Sequence, residues 1–209
     1  MFQPSEQVYR VEEYLWEEQR SPIKREYLKG QIYQMAGGSP EHSQIALNLA
    51  AGLKRELRGK GCRAFNSDLK VGMALLAHFK GKPKKATEED FITYPDASLV
   101  CGSLEFYKGD PYTLANPLVL FEVLSPSTRN YDRSVKLEHY QNLASLLYYV
   151  MIESEEIGVT YFKRVGPQSW LQLPPLYQLE VELSLELPSG LVQLTVAELY
   201  DEVSFEEED

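Results

Sequence analysis

The sequence predicts an α/β fold: a mixed sheet flanked by helices, followed by C-terminal antiparallel β hairpins. Three observations predict it. First, the apolar run Leu118-Val119-Leu120-Phe121-Glu122-Val123-Leu124, closed by Ser125-Pro126-Ser127, reads as a strand covered on both faces. Second, a helical pattern over Tyr131 to Ser145 leads into another apolar strand, Leu146 to Ile152. A helix joining two buried strands is a βαβ crossover and implies some parallel pairing. Third, the pattern changes from Ile157 onward to short β segments punctuated by Gly166-Pro167, Pro174-Pro175 and Ser189-Gly190, the mark of edge hairpins.

The remaining elements follow in order. A first helix is expected around Val8 to Glu18, and Glu26 to Met35 reads as a strand with a turn at Gly30. Gly37-Gly38-Ser39-Pro40 then offers an N-cap serine and a first-turn proline. The helix after it carries the stripe Ile45, Ala46, Leu49, Leu53 and Leu57 and stops at Gly59 to Gly61. Ala64 to Met73 alternates as a half-buried strand. Leu75 to Asp90 is a polar excursion containing Lys80, Lys82, Lys84 and Lys85, read as a solvated insertion before the strand Phe91 to Cys101. The late β segments are Val159 to Lys163, Trp170 to Leu173, Tyr177 to Val181 and Ser184 to Leu187, and Thr195 is placed to cap a last helix through Tyr200.

At 209 residues the chain suits one well-filled core, so a single domain is expected. An apolar fraction of 44% and a charged fraction of 25% are those of an ordinary globular protein. With no hydrophobic leader and no apolar stretch near the roughly 20 residues of a membrane span, a cytoplasmic location is expected. The two cysteines, Cys62 and Cys101, make neither a disulfide framework nor a metal site, and fit a reducing compartment as buried small hydrophobes. The net charge of −10 counts against a nucleic-acid partner. Part of that excess is local, in an acidic tail over residues 202–209 (Glu202, Glu206, Glu207, Glu208, Asp209), and a bound cation would offset other acids. No P-loop, Gly-x-Gly-x-x-Gly, His-Glu-x-x-His or Gly-x-Ser-x-Gly pattern occurs, which argues against nucleoside-triphosphate, zinc-protease and serine-hydrolase chemistry.

Glu122 carries the chemistry. An ionised carboxylate inside a strand buried on both faces costs several kcal/mol without a partner. Another carboxylate sharing a cation, or a lysine, would supply one, and the chain offers Asp96 in Tyr94-Pro95-Asp96 and Lys136 on the following helix. At about 100° per residue, Lys136 falls between Leu143 and Tyr140 inside the apolar arc of that helix and faces the sheet. A snorkelling lysine is the competing explanation. His42 lies in the first turn of the earlier helix on the face of Ile45, Ala46 and Leu49, either as a structural histidine or as a second-rank site residue. Glu26 says almost nothing alone. Acid, acid and lysine are the charge set of a magnesium-dependent phosphodiesterase.

Tyr94-Pro95-Asp96, then Phe121-Glu122-Val123-Leu124-Ser125-Pro126-Ser127-Thr128, then Asp132, Lys136 and Tyr140 resemble the signature of the Uma family of putative restriction endonucleases, within the PD-(D/E)XK nuclease superfamily. The resemblance extends upstream to Glu26 with Gly30 and to Ser39-Pro40 with His42, covering about residues 10 to 200. It implies a restriction-endonuclease-like core in which Asp96 and Glu122 hold Mg²⁺, with Mn²⁺ as a substitute and Glu26 assisting. It also implies DNA as substrate, His42 and Lys136 at the site, and a homodimer that cuts two strands. The lysine that the superfamily places two positions after the glutamate is Leu124 here, and Lys136 is nominated in its stead. Two other readings stand beside this one: an inert nuclease-fold binding or regulatory module, and a purely structural buried network around Asp96 and Glu122.

Overall fold

The computed structural model describes residues 7–35, 37–74 and 90–205. The Lys80 to Lys85 cluster and Glu206 to Asp209 lie outside the described residues. In chain order the elements are α1 (Val11–Glu18), β1 (Arg25–Leu28), β2 (Gln31–Gln34), α2 (Pro40–Glu56), β3 (Cys62–Asn66), β4 (Lys70–Ala74), β5 (Asp90–Thr93), β6 (Ala97–Cys101), β7 (Thr113–Leu114) and β8 (Val119–Leu124). A helical segment follows in three pieces, α3 (Arg129–Tyr131), a π-helical turn (Asp132–Lys136) and α4 (Leu137–Tyr140). Then come β9 (Tyr148–Glu153), β10 (Val159–Gly166), β11 (Ser169–Gln172), β12 (Glu182–Leu187), β13 (Gly190–Thr195) and α5 (Val196–Leu199).

The expected mixed sheet has six strands in the order β11-β10-β9-β8-β6-β3. Its one parallel pair, β8 with β9, is the predicted crossover, with Glu122 opposite Met151. A second sheet runs β2-β1-β5-β4-β7, and β12 pairs with β13 as the C-terminal antiparallel hairpin. The α2 stripe Ile45, Leu49, Leu53 and Leu57 packs with Leu99, Phe121 and Val150 on one face of the six-stranded sheet, under the hairpin's Leu183 and Leu194. On the other face Leu120, Leu124 and Tyr149 meet Val71 and Phe91 of the second sheet and Tyr140 of α4. Ser39 caps α2 by accepting from the His42 N–H at 3.2 Å, and Thr195 with Glu198 forms a capping box on α5. The β1–β2 turn places both Lys29 (φ 50°) and Gly30 (φ 87°) in the left-handed region, as a two-residue hairpin of this twist requires.

Several boundaries differ from expectation. Ala64 to Met73 is two strands, β3 and β4, in different sheets, because Asn66 accepts the Asp68 N–H and turns the chain. Phe91 to Cys101 is likewise split, with β5 in one sheet and β6 in the other. Pro95 lies in the break, where its missing N–H cannot feed a ladder. Tyr177 to Val181 forms no strand, while the unforeseen β13 does. The helix after β8 stops at Tyr140 rather than Ser145. Cys62 and Cys101 are joined in a disulfide, which corrects their reading as separate buried thiols. They sit directly opposite each other on the antiparallel strands β3 and β6, a register that their separation in the sequence conceals.

Candidate active site

The break at Tyr94-Pro95-Asp96 puts Asp96 where the two sheets part, just before β6 and beside β8. Its carboxylate Oδ2 accepts the backbone N–H of Val123 at 2.7 Å, and His42 Nε2, from the first turn of α2, lies 3.4 Å from the same oxygen. Strand alternation turns Glu122 to the face opposite α2, toward the helical segment. There Lys136 is buried with its Nζ 3.0 Å from Glu122 Oε1, 3.5 Å from Glu26 Oε1 and 3.1 Å from Asp132 Oδ1. The Tyr140 hydroxyl donates to Glu122 Oε1 at 2.6 Å, and the Thr93 hydroxyl donates to Glu26. One pocket of about 200 Å³ is lined by all five residues nominated from the sequence, Glu26, His42, Asp96, Glu122 and Lys136.

The helical-face argument placed Lys136 toward the sheet, and its ammonium does not snorkel: the side chain is 5% exposed, with three carboxylates within ion-pair distance. Asp132 and Tyr140 were visible in the sequence only as parts of the family string. Their signal was spacing: Asp132 precedes Lys136 by four residues, and Tyr140 follows it by four. Thr93 left no such signal. The π turn, Asp132–Lys136, contributes both members of one ion pair; such turns recur at functional sites.

Burial raises the proton affinity of Glu122 well above the usual carboxylate range; Lys136 opposes that shift, while Asp132 and Asp96 add to it. Burial also works against the charged form of Lys136. Glu122, Glu26 and Asp132 overcome it, so the ammonium holds its proton more tightly than a free lysine. For His42 burial again opposes the charge, but the hydrogen bond and charge of Asp96, with Asp132 behind it, raise the imidazole above its ordinary value.

Four carboxylates, Glu26, Asp96, Glu122 and Asp132, thus share the pocket with one ammonium. Such an oxygen-rich, net negative donor set suits a hard cation. Among the described residues no group of three or more acidic, histidine or cysteine side chains closes around a single point. That is compatible with Mg²⁺, which takes one or two carboxylates and keeps several waters. The donors therefore fit such an ion in kind. Among the described residues Asp132 Oδ1 is buried and accepts no hydrogen bond beside its ion pair with the Lys136 ammonium at 3.1 Å.

Comparison with known proteins identifies the family and the fold. Residues 10–197 match the family model Uma2, described as "Putative restriction endonuclease". "Uncharacterized protein slr1290" of Synechocystis sp. (strain ATCC 27184 / PCC 6803 / Kazusa) is 33% identical over 84% of this chain and 83% of its own length. "Uncharacterized protein sll1609" of the same organism is 27% identical over 76% and 82%. A crystal structure of a putative nuclease from Anabaena variabilis ATCC 29413 superposes with a TM-score of 0.63 at 19% identity, covering 89% of this chain and 96% of that one, and so shares the fold. By the extent of the family match and the 33% identical relative, the chain belongs to the Uma2 family of putative restriction endonucleases.

Proposed function

We propose that this pocket is the catalytic site of a Mg²⁺-dependent DNA endonuclease, with Mn²⁺ able to substitute. One observation carries the reading: the buried Lys136 ammonium lies against Glu26, Glu122 and Asp132 in the same pocket as Asp96. Asp96 and Glu122 are the residues that would hold the ion, with Glu26 assisting. Bound there, Mg²⁺ would lower the pKa of a water and draw charge from the scissile phosphate.

The chain's own residues supply the rest. Lys136 is too strongly protonated to act as a base; its role is to place fixed positive charge where negative charge develops on the phosphate oxygens. Tyr140 and Thr93 orient Glu122 and Glu26 by donating to them, and the Val123 N–H and His42 orient Asp96. Leu124 is fully buried in the core between the two sheets, so no lysine there would reach solvent or substrate without disrupting that packing. Lys136 takes its place from the helix.

The test is direct. Asp96→Ala and Glu122→Ala should each abolish Mg²⁺- or Mn²⁺-dependent cleavage of duplex DNA while the circular dichroism spectrum stays native; cleavage at the wild-type rate in either variant rejects the site. A second reading, an inert nuclease-fold binding module, draws on the fact that Lys136 already neutralises part of the acidic cluster. Calorimetric titration separates the two, since an inert site would take up no Mn²⁺. A homodimer acting in the cytoplasm, one protomer for each DNA strand, completes the proposal; sedimentation of the free protein checks the dimer.

A further inference from the structure

A groove of about 550 Å³ runs between the C-terminal half of α2 and the edge strand β3, away from the catalytic pocket. Lys54, in the last turn of α2, and Arg58, just past the end of that helix, line one wall, and Arg63 on β3 lines the other. Among the described residues no carboxylate lines it. In a chain of net charge −10 this is unusual, because most of the described cations are tied to acids: Arg55, next to Lys54 on the helix, pairs with Glu56 and Glu198, and Lys60 pairs with Glu56. Lys54, Arg58 and Arg63 make no ion pair among the described residues, and all three are exposed. Arg63 spends one N–H on the Gly102 carbonyl at 3.2 Å, and among the described residues the rest of its guanidinium has no ion-pair partner. Complementing the helix dipole accounts for a cation in the last turn of α2, but not for Arg63 on a strand facing it.

The position of the groove gives these charges a purpose. Its near end is formed by Asn66 and Ala97, which pair across β3 and β6, and Ala97 is the residue after Asp96. Its helical wall belongs to the same helix whose first turn carries His42. From His42 to Lys54 the rise along α2 is about 18 Å, or roughly five base pairs of duplex. We infer that this groove seats the sugar–phosphate backbone of duplex DNA beside the scissile bond, with Lys54, Arg58 and Arg63 contacting phosphates. The inference rests on the nuclease reading for its substrate and deepens it by naming the surface that receives the flanking DNA. It also gives an acidic protein a surface on which a polyanion can lie, since three cations without an ion pair among the described residues line the groove and none of the four pocket carboxylates does.

The test is fluorescence anisotropy of a short labelled duplex, with EDTA present so that no cleavage intervenes, over a series of salt concentrations. The Lys54→Gln/Arg58→Gln/Arg63→Gln variant should bind at least about tenfold more weakly at low salt, and the slope of log K against log salt should fall by about 2.7, the loss of three phosphate contacts. Lys163→Gln, which removes a half-buried lysine paired with Glu186 far along the sheet, should leave both unchanged. If the triple variant does not fold, Arg58→Gln and Arg63→Gln alone should each lower the slope by about 0.9. An unchanged slope, or no binding of the duplex by the wild-type protein, overturns the inference. The two readings fail separately: binding with the lowered slope but no cleavage by the wild-type protein leaves the groove and removes the catalytic reading. Cleavage that depends on Asp96, with the slope unaltered in the triple variant, does the reverse.

Discussion

Lys136 is the residue on which the site turns. It is buried at the meeting point of Glu26, Glu122 and Asp132, and none of those acids has another cation within ion-pair distance among the described residues. Lys136→Ala would leave buried carboxylates uncompensated and should cost about 3–5 kcal/mol in urea denaturation at neutral pH. Part of that loss should return in acid. Burial raises the proton affinity of Glu122, so stability is greatest where the carboxyl is protonated in both states and falls as pH rises through its elevated folded value. A variant as stable as the wild type at neutral pH would show that Lys136 is not the counterion. His42 has the same sign for a different reason. Its imidazole is raised by Asp96, so the stability it contributes is complete below its ordinary value of 6.5 and lost as pH rises through the folded value. In EDTA, His42→Gln should flatten the thermal-stability profile across that window, and an identical slope in both proteins would remove His42 from the Asp96 contact.

At the scale of elements, two breaks make the site. The first splits the predicted strand Phe91 to Cys101 at Pro95, so that Thr93 and Asp96 serve different sheets from consecutive stretches of chain. The second is the π turn, which carries Asp132 and Lys136 over Glu122. Neither break shows in hydrophobic periodicity, which reports average burial along a segment rather than a change of partner. The second sheet depends on close packing at Gly72 of β4, where an added Cβ would stand 2.6 Å from the Tyr107 ring and 2.7 Å from the Thr113 methyl. Gly72→Ala should therefore destabilise the protein by about 1–3 kcal/mol, measured as the midpoint shift in urea. No shift would mean that the Tyr107 segment moves aside freely.

For the whole molecule, the disulfide between Cys62 and Cys101 clips the edge strand β3 to β6, the strand that follows Asp96. It closes a loop with a sequence separation of 39, so reduction should cost about 2–4 kcal/mol by removing that constraint from the unfolded chain. Urea midpoints with and without reductant, and in Cys62→Ser, measure it; coincident curves would show that the bond adds nothing in solution. The distribution of charge also belongs to this scale. A net −10 argues against a polyanionic partner only if the charge is spread evenly, and here the acids of the pocket and the cations of the groove are segregated.

By itself the sequence determined the fold class and nominated the residues of the candidate site. The apolar runs around Glu122 and at Leu146 to Ile152 read as neighbouring buried strands with a helix crossing between them, and Lys136 falls in the apolar arc of that helix, because periodicity and burial are properties of a single segment; the fold decided whether its ammonium stayed inside or snorkelled. The family string carried Asp96, Glu122 and Lys136 together, with Glu26 and His42 upstream. Only the tertiary structure decided that β3 and β4, and β5 and β6, belong to different sheets, that the two cysteines lie in register, and that Asp132, Tyr140 and Thr93 complete the cluster. Those are relations between segments distant along the chain, set by which surfaces cover one another, and no local pattern encodes a partner that the chain meets only when it is folded.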